Sequence, residues 1–208
     1  VLPDTVSFDV LHALVVKGMA QSAPLAEITG RGTDEVLREL EALRTEGLAT
    51  HMERRGLWRV TPKGRARHGE LMDEDVPAHD RDLLRPGYEH FVPLNGRFKD
   101  TCTRWQVRDG VPNDHTDAAY DEALLKELEA QHEEAVAIIG RLAEVRSRFQ
   151  RYGDALADAL ARLRNGEQKA FTGVMCDSYH DVWMELHRDL LVSMKIQRED
   201  EERAGTAR

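Results

Sequence analysis

From Tyr120 to Phe149, apolar side chains return at steps of three or four residues, with one double step of seven: Tyr120, Leu124, Leu128, Ala135, Ile138, Leu142, Val145 and Phe149, with Ile139 alongside. Only a helix brings positions so spaced onto one face, so the segment specifies a single long helix. Thr116 or Asp117 stands ready to cap its start. At about 1.5 Å per residue such a helix extends roughly 50 Å. That is long for a small domain, and the expectation is that it packs against a partner as well as its own domain.

The surrounding sequence is helical too. Phe91, Leu94, Phe98, Cys102 and Trp105 share one face, with Pro93 expected near that helix's start, while Arg97, Arg104 and Arg108 share another. Residues 109–116 read as a turn-rich loop. A shorter helix is expected after Gly153, with Asp154 as its N-cap and Asn165-Gly166 as its stop. The last helix is expected from about Asp177 to Gln197, with Tyr179, Val182, Trp183, Leu186, Leu190 and Met194 facing inward and a fraying charged tail after it. Residues 88–208 thus read as an all-α domain of four helices.

The N-terminal third reads differently. Phe8, Leu11, Leu14, Val15 and Met19 recur at helical spacing, giving a first helix near residues 5–20. Ser22 reads as the N-cap of a short second helix with Pro24 in its first turn, ending at Thr29-Gly30-Arg31-Gly32. A third helix is expected from Thr33 to Glu46, with Val36, Leu37, Leu40 and Leu43 on its apolar face and Gly47 as its stop. Residues 48–53 and 57–61 then alternate as strands do, with Arg54-Arg55-Gly56 as a hairpin tip. The fold class expected is therefore mainly α: a three-helix, one-hairpin domain over 1–72, an acidic, proline-bearing linker over 73–87, and the helical domain over 88–208.

Helix, short helix, turn, helix, hairpin is the order of a winged helix-turn-helix. The wording Leu40-Glu41-Ala42-Leu43, then Glu46-Gly47-Leu48, then Val60-Thr61-Pro62-Lys63-Gly64-Arg65 resembles that of the MarR- and PadR-like transcriptional regulators. In those families the leucine-rich phrase ends the recognition helix, and a Thr-Pro-x-Gly phrase leads out of the wing. The resemblance covers about residues 5–72, and it implies a DNA-binding fold there.

Charge points the same way. Residues 54–67 carry six basic side chains and no acidic one. The net charge of −9 falls wholly on residues 73–208, with 19 basic and 28 acidic side chains, while residues 1–72 hold ten of each. An acidic body repels DNA, so phosphate contact belongs to the N-terminal domain. The candidates are Arg31, Thr33 and Arg38 at the third helix, Arg54, Arg55 and Arg59 on the hairpin, and Lys63, Arg65 and Arg67 beyond it. Six cations on phosphates would give a log–log salt slope of about −5. Asp34 and Glu35 open the third helix, where they suit the helix dipole but oppose groove entry.

No apolar run reaches membrane-spanning length, the N-terminus has no secretory-signal pattern, and Cys102 and Cys176 read as buried thiols. A cytoplasmic protein is expected. No nucleophile elbow, phosphate loop or HExxH helix occurs, so neither catalysis nor a cofactor is implied. Asp177, His180, Met184 and His187 lie along one helical stripe, but His180 and His187 are seven apart, about 10.5 Å along the axis, too far to share one zinc ion. Asp177 also reads as the cap of that helix. Arg104, Trp105, Tyr179, His180, Trp183 and His187 are instead the candidate lining of an effector pocket. The reading is a homodimeric regulator of double-stranded DNA, with operator affinity controlled by a small-molecule effector. Two alternatives stand beside it: a winged-helix adaptor that binds protein, and a metal or enzymatic protein using His180 and His187.

Overall fold

A computed structural model describes residues 8–197. Among these residues the chain is mainly helical, with nine α-helices and two small antiparallel sheets. It divides into two compact units. One takes in the chain up to Ala78 together with the residues from Leu191 on; the other is His79–Leu190.

The first unit begins with α1 (Phe8–Lys17), β1 (Met19–Ala20), α2 (Ser22–Thr29) and α3 (Thr33–Thr45). Strands β2 (Ala49–Met52) and β3 (Leu57–Val60) follow, joined by a 3-10 turn at Glu53–Arg55, and α4 (Pro62–Asp75) leaves the hairpin. In the sheet β3 lies between β1 and β2, so Arg59 sits across from Met19 on one side and Thr50 on the other. Leu11, Leu14, Leu25, Val36, Leu40, Leu43, Trp58 and Val60 are buried in one core, and Val192 packs against it.

Several expected details differ here. Met19 leaves the first helix for β1 and is 44% exposed, and residues 5–7 of that expected helix lie outside the described residues. Ser22 is the first helical residue, and the cap position is Gln21, whose side chain makes no capping hydrogen bond. Leu37 points outward at 36% exposure, since Val36, Leu40 and Leu43 complete the buried stripe of α3.

The second unit opens with α5 (Ala78–Gln106), which passes through Pro86 and Pro93. Helix thus covers most of the expected 73–87 linker: α4 runs to Asp75 and α5 starts at Ala78. Each interior proline forfeits a backbone hydrogen bond. Burial of Leu84, Phe91, Leu94, Phe98 and Trp105 along the same helix offsets that loss. Strands β4 (Val107–Arg108) and β5 (Val111–Pro112) replace part of the expected loop, so this unit is not purely α-helical. Their link is Asp109-Gly110, at φ 52° and 81°, the positive-φ pair a two-residue hairpin requires.

Helix α6 (Ala118–Val145) is capped by Asp117, which accepts from the Tyr120 backbone N–H at 3.1 Å. It ends four residues before Phe149, which falls in a 3-10 turn. It pairs antiparallel with α5: Arg97 bridges Glu134, Thr101 accepts from Gln131 and Arg104 bridges Glu127, so one number rises as the other falls. Then come α7 (Gln150–Arg164), which includes Gly153 and Asp154 in its interior; α8 (Lys169–Thr172), absent from the sequence reading; and α9 (Tyr179–Met194). Ser178, not Asp177, caps α9: its hydroxyl accepts from the Asp181 N–H at 3.1 Å. Asp177 instead takes a positive φ of 49° in the preceding loop. The charged tail from Arg198 lies outside the described residues.

The Thr-Pro-x-Gly phrase acquires a packing reason. Thr61 caps α4 by accepting from the Gly64 N–H at 3.0 Å, and a Cβ on Gly64 would stand 2.1 Å from the Leu48 carbonyl oxygen. Gly69, one turn further along α4, has nothing within 4 Å of such a Cβ. Gly64→Ala is therefore expected to destabilise the protein by about 2–3 kcal/mol or more through overpacking. Gly69→Ala is expected to stabilise it by about 0.5–1 kcal/mol through helix propensity. Urea unfolding midpoints of the two variants would show the opposite signs.

Candidate nucleic-acid interface

The hairpin and the start of α4 hold the basic residues in one continuous stretch. Arg54 and Arg55 occupy the 3-10 turn, closed by Gly56, and both are exposed. Arg59 projects from the middle strand, and Arg65 lies exposed in the first turns of α4. Among the described residues none of these four arginines has an ion-pair partner. Lys63 donates to the Glu46 carbonyl oxygen at 2.8 Å, and Arg67 bonds Glu70 at 2.9 Å.

The residues proposed around α3 are arranged differently. Arg31 bonds Asp9 at 3.0 Å, lies 3.5 Å from Glu35 and bonds Glu39 as well, so three carboxylates claim it. Thr33 is the first residue of α3, and Arg38 is exposed on it without a partner among the described residues. Arg44 bonds Glu41 at 2.7 Å. Asp34, Glu35, Glu39 and Glu41 outnumber Arg38 and Arg44 on this helix. Glu35, four residues beyond Arg31, was a readable signal for this network. Asp9 was not, because it reaches Arg31 from 22 residues away.

The six residues read as an effector pocket lie in the second unit, where five of them are packing groups. Trp183 is fully buried, donates to the Asn95 side-chain oxygen at 2.9 Å, and stacks on Phe98 and Phe91 with centroids 4.2 and 5.2 Å apart. Trp105 packs on Phe171, Tyr179 on Phe98 and His187 on Phe91. His180 is half-buried against Phe98. Arg104 sits at the surface, bonded to Glu127 and Asp100, and Glu127 is the main group holding its pKa above the usual arginine value. Among the described residues no group of three or more His, Cys, Asp or Glu is placed to hold a metal ion.

The chain matches no family model, no curated protein and no solved structure. The polar chemistry of its own residues therefore carries the functional argument.

A polar group that sequence reasoning missed is buried in the second unit. Asp189 is fully buried, accepting from the Tyr152 hydroxyl at 2.9 Å and from Arg148 at 3.3 Å. Burial, reinforced by Asp189, holds the Tyr152 phenol well above its usual pKa. Asp189 had no periodic signal of its own, since it takes a core position on α9 that a polar residue rarely fills.

Two titrations follow from burial. Burial lowers the pKa of His132, whose ring lies 3.2 Å from the Tyr179 hydroxyl, and also that of His180. Both bind fewer protons folded than unfolded, so their contribution is complete above about pH 6.5 and is lost as pH falls further. Urea midpoints at successive pH values are expected to decline below that point, and His180→Phe to make the decline shallower. Burial also pushes the Cys102 thiol up to about 12. At mildly alkaline pH a thiol-reactive disulfide reagent is expected to label the half-exposed Cys176 in the native chain, and Cys102 only on unfolding.

Proposed function

We propose that this chain is a DNA-binding transcriptional regulator whose first unit is a winged helix-turn-helix. The observation that carries the reading is the set of four exposed arginines, Arg54, Arg55, Arg59 and Arg65, without ion-pair partners among the described residues. Cations left uncommitted along a hairpin and a helix start fit a regularly spaced polyanion, because each phosphate they neutralise releases a counterion. The element order from α1 through the three-stranded sheet to α4 supports the winged-helix assignment.

In the homodimer belonging to this reading, two such faces would stand about 34–36 Å apart to meet successive turns of a pseudo-palindrome. Among the described residues the one large apolar side chain exposed on α6 is Val136, so the pairing would have to use other surfaces than an apolar stripe on that helix. An effector would act by binding one arrangement of the pair more tightly than another. The carboxylates of α3 favour a second reading, a winged-helix adaptor that docks a basic protein.

Fluorescence anisotropy with labelled duplex from upstream of the chain's own gene separates the two. If each of the four arginines displaces one condensed counterion, the log–log salt slope is about −3.6, and Arg54→Ala/Arg55→Ala should reduce its magnitude by about 1.8. Absence of salt-sensitive binding would sink the DNA-binding reading and favour the adaptor.

A further inference from the structure

Two neighbouring surfaces of the first unit carry opposite charge balances. On α3 and the segments that meet it, Asp9, Asp34, Glu35, Glu39 and Glu41 stand against Arg31, Arg38 and Arg44. Arg31 is held by three of these carboxylates and Arg44 by one, which leaves Arg38 as the uncommitted cation of α3 among the described residues. On the hairpin and the first turns of α4, residues 53–67, the balance reverses: Arg54, Arg55, Arg59 and Arg65 are all uncommitted there, and Glu53 is the one carboxylate, the acidic residues of α4 coming later, at Glu70, Asp73, Glu74 and Asp75.

A helix that reads a major groove presents its first turns to the base edges between two rows of phosphates. In α3 those turns carry exposed Asp34 and Glu35. A carboxylate there can accept from cytosine N4 and little else, and the flanking phosphates repel it. Turning Arg31 toward DNA would not help, because Asp9, Glu35 and Glu39 would lose their shared counter-charge together. The hairpin turn carries one exposed carboxylate, Glu53, and its arginines hold no counter-charge that DNA binding would break. Arginines exposed at a hairpin turn can reach into the ~6 Å minor groove as side chains alone, whereas a helix about 10–12 Å across fits only the major groove. Arginine is also the side chain drawn to the negative potential of a narrow minor groove.

We propose that the chain binds duplex DNA hairpin-first, through Arg54, Arg55, Arg59 and Arg65, with α3 held outside the major groove. It then reads phosphate placement and minor-groove width in place of base edges. This inference rests on the DNA-binding reading above and specifies how that binding works. Arg54 and Arg55 at the tip enter the minor groove, while Arg59 and Arg65 follow the flanking phosphates.

The test uses the full chain and three short labelled duplexes of equal length: one with a central A-tract, one of mixed sequence and one rich in G·C. All three should bind, with the A-tract tightest by about tenfold. Arg54→Ala/Arg55→Ala should weaken binding by about tenfold or more and erase the A-tract preference. Arg38→Ala should change affinity by less than about twofold, and Asp34→Asn/Glu35→Gln should leave it unchanged or tighten it. Circular dichroism melts of each variant establish that the fold is kept. Equal affinity for the three duplexes, or a loss on Arg38→Ala matching that of the tip variant, overturns this mode and leaves DNA binding standing. No salt-sensitive binding to any duplex overturns the DNA-binding reading, and this inference with it.

Discussion

The Leu48 carbonyl oxygen is the point on which the first unit turns. It accepts from the Thr61 N–H at 2.9 Å and from the Thr61 hydroxyl at 3.1 Å, and the missing side chain of Gly64 lets the first turn of α4 lie directly against it. The Thr61 hydroxyl also reaches the Gly47 carbonyl oxygen at 2.7 Å. The exit of α3, the exit of the hairpin and the entry to α4 are thus fastened at one corner. Because the hairpin is anchored there, its basic turn is presented from a fixed base, with the backbone polar groups at that corner already satisfied.

The second unit solves a different problem, that of keeping two long helices in register. Buried apolar side chains set which faces meet, but they tolerate sliding; the bidentate pairs Arg97–Glu134 and Arg104–Glu127 do not, because each guanidinium fork fits one carboxylate. These pairs are exposed and add little to stability. Their value lies in specifying one alignment, and the burial of Phe98, Trp105, Tyr179 and Trp183 rewards it. Asp189 extends the theme inward, since its partners Tyr152 and Arg148 are met only when α9 lies in a single orientation against α7 and the turn before it.

Helical periodicity was the most legible signal in the chain. Leu124, Leu128, Ala135, Ile138 and Leu142 could be assigned to a core from spacing alone, and all five are buried. The hairpin and its tip were equally readable, because turn chemistry is local. The failures share a cause: each needed knowledge of a distant neighbour or of how a local preference would be overridden. Pro86 and Pro93 argued for a break, yet the apolar face around them kept α5 continuous. Asp109-Gly110 is a strong hairpin pair, yet the strands it joins are two residues each, too short to show an alternating pattern in sequence. For the candidate interface, residue type gave the positions of the cations but not their availability. Arg31 and Arg54 look alike in sequence; three carboxylates claim the one, and the other has no ion-pair partner among the described residues.

The return of the chain to the first unit after Leu190 changes what counts as a module. Val192 packs against a core otherwise built from residues before Ala78, and Lys195 bonds Asp73 on α4. A fragment cut after α4 would keep every basic residue of the hairpin while losing Val192, a partly buried side chain packed on the core beneath it, and the Lys195 partner of Asp73. The support of the charged face therefore draws on residues beyond Leu190 as well as on those before Ala78. An altered residue near the C-terminus could impair the N-terminal unit without touching any residue of its surface.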